Sequence, residues 1–290
     1  MPGPALAPVR RSSEIISRSC GYLPGCDGRL YLKLYTARDL QDAVLSRHLP
    51  DIMTRLGHQA RCWFIRYEDP EPHLRLRISL GHGPVGAAAE QAAAWTSEVR
   101  DSGLIAHVSW ETYYPETARF GGPAAMDAAE AFFAADSSAA IAQIIEAQRK
   151  NGPDLQAVTA ASMAELAVAA AGENAAGMRW LRDHTRTCPA PPARSLYDQA
   201  VALVRESCAG TGAAPAGIAQ SWLARRAALA VYRSALEQVS TVTLTDLLPD
   251  LLHLHHTRIA GPDITAECAC LHLARAAALS WLARNEKTAP

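Results

Sequence analysis

An α+β fold, with a sheet-bearing N-terminal half and a mainly α-helical C-terminal half, is what this 290-residue sequence predicts. Three observations carry that expectation. Runs with alternating apolar and polar residues occur only before Gly122, and helical spacings separate them. Their order is strand, helix, strand, strand, helix, strand, the split-βαβ arrangement of a ferredoxin-like antiparallel sheet. From Pro123 onward alanine and helical periodicity dominate to the C-terminus. The expected division is an irregular arm over 1–28, an α/β sheet subdomain over 29–122 and an α-helical subdomain over 123–290, integrated into one domain.

Each element has a local reason. The arm is rich in Pro, Gly, Ser and Arg without periodicity. Arg29 to Tyr35 alternates cleanly and reads as a strand. Residues 37–56 carry the stripe Leu40, Val44, Leu45, Leu49, Ile52, Met53 and Leu56, closed by Gly57; Pro50 should kink or split that helix. Cys62–Tyr67 and His73–Ser79 form a strand pair around the proline-bearing turn Glu68 to Pro72. Pro84–Arg100 is helical and stops at Asp101-Ser102-Gly103. Ile105–Tyr114, rich in Val, Trp, Thr and Tyr, is the last strand. Helices follow over about 124–134, 137–150, 154–171, 173–185, 196–208, 217–238, 245–257 and 264–285, with a break at Cys188-Pro-Ala-Pro-Pro-Ala-Arg194.

Composition excludes several classes. A net charge of −1 gives no basic field of the kind that nucleic-acid binding requires. No apolar run approaches the ~18 residues of a membrane span. The N-terminus lacks the apolar core of a signal peptide, so a cytoplasmic location is expected. The seven cysteines are scattered, without the paired spacing of a zinc site or a disulfide framework. Cys268-x-Cys270 lies in a helical stretch, where residues two apart do not share a face, so no metal is expected.

Three constellations stand out. In the third strand Leu74, Leu76, Ile78 and Leu80 fall on one face, and His73, Arg75, Arg77 and Ser79 on the other. Neighbours in that polar row stand roughly 7 Å apart. Such a row is either a solvated strand face or a receptor for an oxyanion. The segment Tyr113-Tyr-Pro-Glu116-Thr-Ala-Arg119-Phe-Gly-Gly122 sets Glu116 and Arg119 three apart, so one helical turn brings them together. In Leu251 to Arg258, His253 shares a helix face with His256 and Thr257, while His255 and Arg258 share another. A polar helix end before Gly261-Pro262 is one reading of that cluster; a histidine able to transfer protons near the arginine row is the other.

Together WFIRYEDPEPHLRLR, YYPETARFGG and LLHLHHTRIAGPD, followed by a glutamate-containing alanine-rich helix, resemble the elimination (lyase) domain of lantibiotic and thiopeptide dehydratases, the thiopeptide-type bacteriocin biosynthesis domain. The resemblance runs from about Arg29 to Arg284. It implies action on a ribosomally made precursor peptide, leader and core. In that family a partner esterifies Ser or Thr with glutamate from glutamyl-tRNA, and the elimination domain expels the glutamate, leaving dehydroalanine or dehydrobutyrine. The implied catalytic residues are Arg75 and Arg77 of HLRLR, Glu116 and Arg119 of YxxExxR, and His253 as base or acid. Arg66, His73, Tyr113, His256 and Arg258 are the implied substrate contacts. Thr257 departs from the family, which usually carries asparagine there. No cofactor is implied. The glutamylating activity is expected on a separate protein, and a homodimer is left open.

Two other functions fit the same motifs. Thiopeptide pyridine synthases, close relatives, join two dehydroalanines by a formal [4+2] cycloaddition and release the leader peptide. A non-catalytic subunit would instead bind the precursor, with Arg29–Tyr35 as an exposed edge strand for β-augmentation.

Overall fold

The computed structural model describes residues 21–24, 26, 28–81, 84–186, 188, 191–209, 215–239 and 241–285. Most of the expected N-terminal arm therefore lies outside the described residues, as does part of the proline-rich break after Thr185. β1 (Arg29–Tyr35), β2 (Arg61–Tyr67), β3 (His73–Ser79) and β4 (His107–Trp110) form one antiparallel sheet in the order β2-β3-β1-β4. This is the ferredoxin-like order the strand-helix pattern predicts.

Two details of the sheet differ from expectation. β1 is an interior strand, paired with β3 on one side and β4 on the other, so it is not an edge open to a peptide. The ferredoxin-like order itself places the first strand inside the sheet, so the edge reading of Arg29–Tyr35 conflicts with the predicted arrangement. The last strand is also shorter than 105–114. The chain leaves the ladder after Trp110, and Tyr113 pairs with Tyr22 as an isolated bridge.

One sheet face is covered by α1 (Arg38–Ala43), α2 (Leu49–Leu56) and α3 (Val85–Asp101). Leu30, Leu32, Leu34, Phe64, Leu74, Leu76 and Ile78 meet Ile52, Trp95 and Val99 there. Each such side chain contributes about 1.5–3 kcal/mol on burial. The kink expected at Pro50 is a π turn, Val44–His48, between α1 and α2, with Pro50 in the first turn of α2. Trp95 Nε1 donates to the His48 carbonyl at 3.0 Å and ties α3 to that turn.

The other face meets the helical half. It comprises α4 (Met126–Ala147), α5 (Leu155–Ala171), α6 (Asn174–His184), α7 (Arg194–Ala209), α8 (Ala216–Val239), α9 (Leu244–Ala260) and α10 (Ile264–Asn285). Most bounds fall within a residue or two of the sequence reading. The exceptions are α9, which runs three residues past its expected end, and α4, one continuous helix where two were expected. No glycine or proline interrupts α4 near Ala135, and Asp136 is buried inside the bundle. Tyr31 and Trp63 of the sheet join Tyr113, Phe133 and the bundle residues in a second core. α9 starts with a capping box between Thr243 and Asp246.

Candidate active site

β3 supplies the first groups. Its pairing sets Arg77 between Tyr31 and Trp63, Arg75 between Lys33 and Ile65, and His73 between Tyr35 and Tyr67. The predicted polar row therefore lies on the face turned towards the helical half. His73 is buried; its Nδ1–H donates to the Glu71 carbonyl at 2.7 Å and its Nε2 accepts from Arg75 Nε at 3.3 Å. Burial moves its pKa below the ordinary histidine value. Arg75 stacks on Tyr67, 3.4 Å from the ring centroid. Arg77 lies over Tyr31 at 4.7 Å and near Tyr113 at 5.3 Å, and its buried Nε has no hydrogen-bond partner among the described residues. Aromatic faces thus hold both guanidiniums without neutralising them.

The YYPETARFGG segment makes the turn its spacing predicts. Arg119 N–H donates to the Glu116 carbonyl at 3.0 Å, and Gly122 N–H to the Thr117 carbonyl at 2.7 Å. Arg119 Nη1 then reaches Glu116 Oε2 at 3.0 Å. Its Nη2 donates to Asp250 of α9 at 2.7 Å. Gly121 has φ +91°, and a Cβ there would meet Leu236 Cδ2 at 2.2 Å, so this turn accepts only glycine at that position. Tyr113 is buried and donates to Glu130 at 2.8 Å; Glu130 is also paired with Arg29.

From α9, His253 is half-exposed and its Nδ1 lies 2.9 Å from Glu267 Oε2 of α10. A carboxylate only accepts, so Nδ1–H is the donor. That hydrogen bond, working against partial burial, raises the imidazole pKa; Arg119 counters it and Asp250 adds to it. The Thr257 hydroxyl donates to the His253 carbonyl at 2.8 Å and stays within the helix.

The rest of the histidine cluster is not a solvated helix end. His255, His256 and Arg258 are all buried. Asp136 of α4 receives His255 Nδ1 at 2.8 Å, Arg258 Nη1 at 2.7 Å and Arg225 Nη1 of α8 at 2.8 Å. Burial alone would raise the Asp136 carboxyl; His255, Arg258 and Arg225 hold it far below the usual carboxylate range. Arg225 also donates to Glu165 of α5 at 2.6 Å.

Arg77, Glu116, Arg119, Tyr113 and Arg258 all line one cavity of about 40 Å³, with Leu254 beside His253 completing its α9 wall. Roomier clefts exist, such as one of about 470 Å³ between α2, β2 and α4, but Arg61 is its sole charged lining residue. Five predicted residues do not line the small cavity: His73 and Arg75 farther along β3, His253 of α9, Arg66 and His256. Arg66 alternates to the opposite face of β2, where it bonds Asp42 at 2.5 Å, Gln41 at 3.3 Å and the Arg258 carbonyl at 2.7 Å. Neither ring nitrogen of His256 has a hydrogen-bond partner among the described residues, and burial pushes its pKa down to about 4. Asp250 and Asp136 escaped the sequence reading, and Glu267 entered it only as the glutamate of the alanine-rich helix after the histidine motif. Asp250 was legible, being three positions before His253 on one helix face; Asp136 was not, because its partners come from distant helices.

Comparison with known proteins bears on this arrangement. A family profile described as "Lantibiotic biosynthesis dehydratase C-term" matches residues 30–278, from β1 into α10. The chain belongs to this family. Over 110 residues it is 31% identical to the subtilin biosynthesis protein SpaB of Bacillus subtilis, and over 114 residues 32% identical to the nisin biosynthesis protein NisB of Lactococcus lactis subsp. lactis. Each match spans 37% of this chain and 11% of the relative. Among solved structures, the tRNA-dependent lantibiotic dehydratase MibB from Microbispora sp. 107891 is similar with a TM-score of 0.74 and 26% identity. That likeness covers 89% of this chain and 28% of MibB. TbtD, a pyridine synthase from thiomuracin biosynthesis, shares the fold at a TM-score of 0.56 and 17% identity, over 88% of this chain and 98% of TbtD. The family match thus spans the whole motif set of this chain, and both structural likenesses extend over most of it.

Proposed function

We propose that this chain is an elimination lyase: it removes glutamate from glutamylated Ser or Thr of a precursor peptide, leaving dehydroalanine or dehydrobutyrine. The observation that carries the reading is the convergence of Arg77, Arg119 and Arg258, from three separate parts of the chain, on one cavity beside the α9 turn that bears His253. β-Elimination from a glutamyl ester needs a base at Cα, a receptor for the charge that develops on the neighbouring carbonyl, and a receptor for the departing carboxylate. Guanidiniums serve both receptor roles without changing protonation.

In this reading His253 is the base. Its Nδ1 proton is committed to Glu267, which leaves Nε2 of the neutral ring as the acceptor. The proton moves from Cα to Nε2, its electron pair forms the Cα=Cβ bond, and the Cβ–O bond breaks with its pair on the leaving carboxylate. Arg77 and Arg119 receive the two developing charges, Glu116 and Asp250 fix Arg119 in place, and Arg75 extends the cationic row. A separate glutamylating protein and a cytoplasmic setting belong to the same proposal. Among the described residues no single helix is long and apolar enough to cross a membrane.

A second reading, pyridine synthesis by cycloaddition, has its own support in a fold likeness that spans 98% of TbtD. The higher identity and TM-score with MibB favour elimination. One experiment tests both: supply a glutamylated precursor and, separately, a multiply dehydrated one, and follow product masses. Loss of glutamate from the first is the expected result. Ring formation with leader release from the second would replace elimination by cycloaddition, and unchanged masses in both would reject catalysis.

A further inference from the structure

Asp136 sits midway along α4 with no exposed surface, and every hydrogen bond it receives comes from a basic side chain of α8 or α9. One of them, Arg258, also belongs to the cavity wall. The grip on Arg258 is one-sided. Its Nη1 donates to Asp136 Oδ2 at 2.7 Å and its Nε to Ser137 Oγ at 3.1 Å, while that same Oγ accepts the Phe64 N–H at 3.2 Å. The guanidinium also lies 5.6 Å from the Phe133 ring centroid. Nη2, the remaining amino group, is buried without a hydrogen-bond partner among the described residues.

An unpaired donor on a buried cation is unfavourable, and a second cation nearby makes it more so. Arg77 stands close enough for its charge to act on Arg258, and Arg77 Nε is likewise buried and unpartnered. Asp136 does not compensate for both, since it also serves Arg225 and His255. Two guanidiniums with free N–H groups on one cavity are complementary to a carboxylate, which would accept from both at once.

We infer that Asp136 is a positioning residue: with Ser137 it holds Nη1 and Nε of Arg258 so that Nη2, together with Arg77, receives a free carboxylate of the substrate's glutamyl group. This rests on the elimination reading above. Asp136 touches no substrate; it acts through Arg258.

The test uses wild type, Asp136→Asn, Arg258→Met and the double variant, each melted thermally to establish folding. Glutamate release from a glutamylated precursor is measured, with free L-glutamate as the competing probe. Asp136→Asn should raise KM and the inhibition constant of glutamate about tenfold, with a smaller fall in kcat. The double variant should bind glutamate no worse than Arg258→Met alone. Unchanged KM and inhibition constant in Asp136→Asn, or additive losses in the double variant, would overturn the positioning role. A merely structural role would lower the melting temperature and leave glutamate inhibition intact. Should the Asp136→Asn protein fail to fold, Ser137→Ala carries the same comparison, because it releases Nε of the same guanidinium without altering charge. Wild type that releases no glutamate would reject the elimination reading itself, an outcome distinct from all of these.

Discussion

The two charged faces of α9 differ in one physical respect, and their chemistry follows from it. On the inner face, His255 and Arg258 are buried and share Asp136 with Arg225, so the groups are locked together out of reach of water. On the outer face, Asp250 and His253 are partly exposed and reach Arg119 and Glu267. A dry, mutually paired cluster fixes geometry, whereas a wet one can exchange protons with substrate and solvent. One helix therefore carries both the buried framework and the half-exposed histidine that the proposed elimination uses as its base.

The sharpest way to break this comparison is to disturb the inner face. Arg225→Met leaves two buried carboxylates short of a cation and should destabilise the fold by about 3–5 kcal/mol. Chemical denaturation reads this, and a loss below 1 kcal/mol would mean that the inner cluster does not hold the bundle. On the outer face the order of effects should invert. His253→Ala is expected to cut glutamate release by about 10²–10⁴-fold while its melting temperature stays near wild type. Arg77→Met should cost about 10²–10³-fold in turnover, measured by product mass against time, again without unfolding.

The smallest effect sharpens the comparison through pH. The Glu267 hydrogen bond raises the His253 pKa, so a reaction using His253 as base should gain rate as pH rises through that elevated value. Glu267→Gln removes the pull, and the rate limb should shift to lower pH. The stability consequence has the opposite sense. The contact is fully present below the unfolded histidine pKa, about 6.5, and is lost as pH rises through the folded one. A rate profile unmoved by Glu267→Gln would assign the limb to another group.

Much of this was legible before any coordinates. Period-two alternation sorted β3 into an apolar and a cationic face, and three-residue spacing joined Glu116 to Arg119. Helical spacing also put His255 with Arg258, and both do meet one carboxylate. What stayed hidden was non-local. Asp136 is one of four acids in an alanine-rich helix, and nothing near it in sequence names partners more than 80 residues away. Arg66, an implied substrate contact, is turned by alternation from Ile65 to the other face of β2, where it pairs with Asp42.

The narrowness of the cavity has a consequence of its own. A volume of about 40 Å³ is little more than a single water occupies, and a glutamyl ester is far larger. Tyr114, exposed at its rim, is the side chain that has to move for the ester to enter in the elimination reading. Such gating belongs to the microsecond-to-millisecond range, and the freed acid has to leave by the same door. In the elimination reading, admission and escape then pace turnover alongside bond breaking.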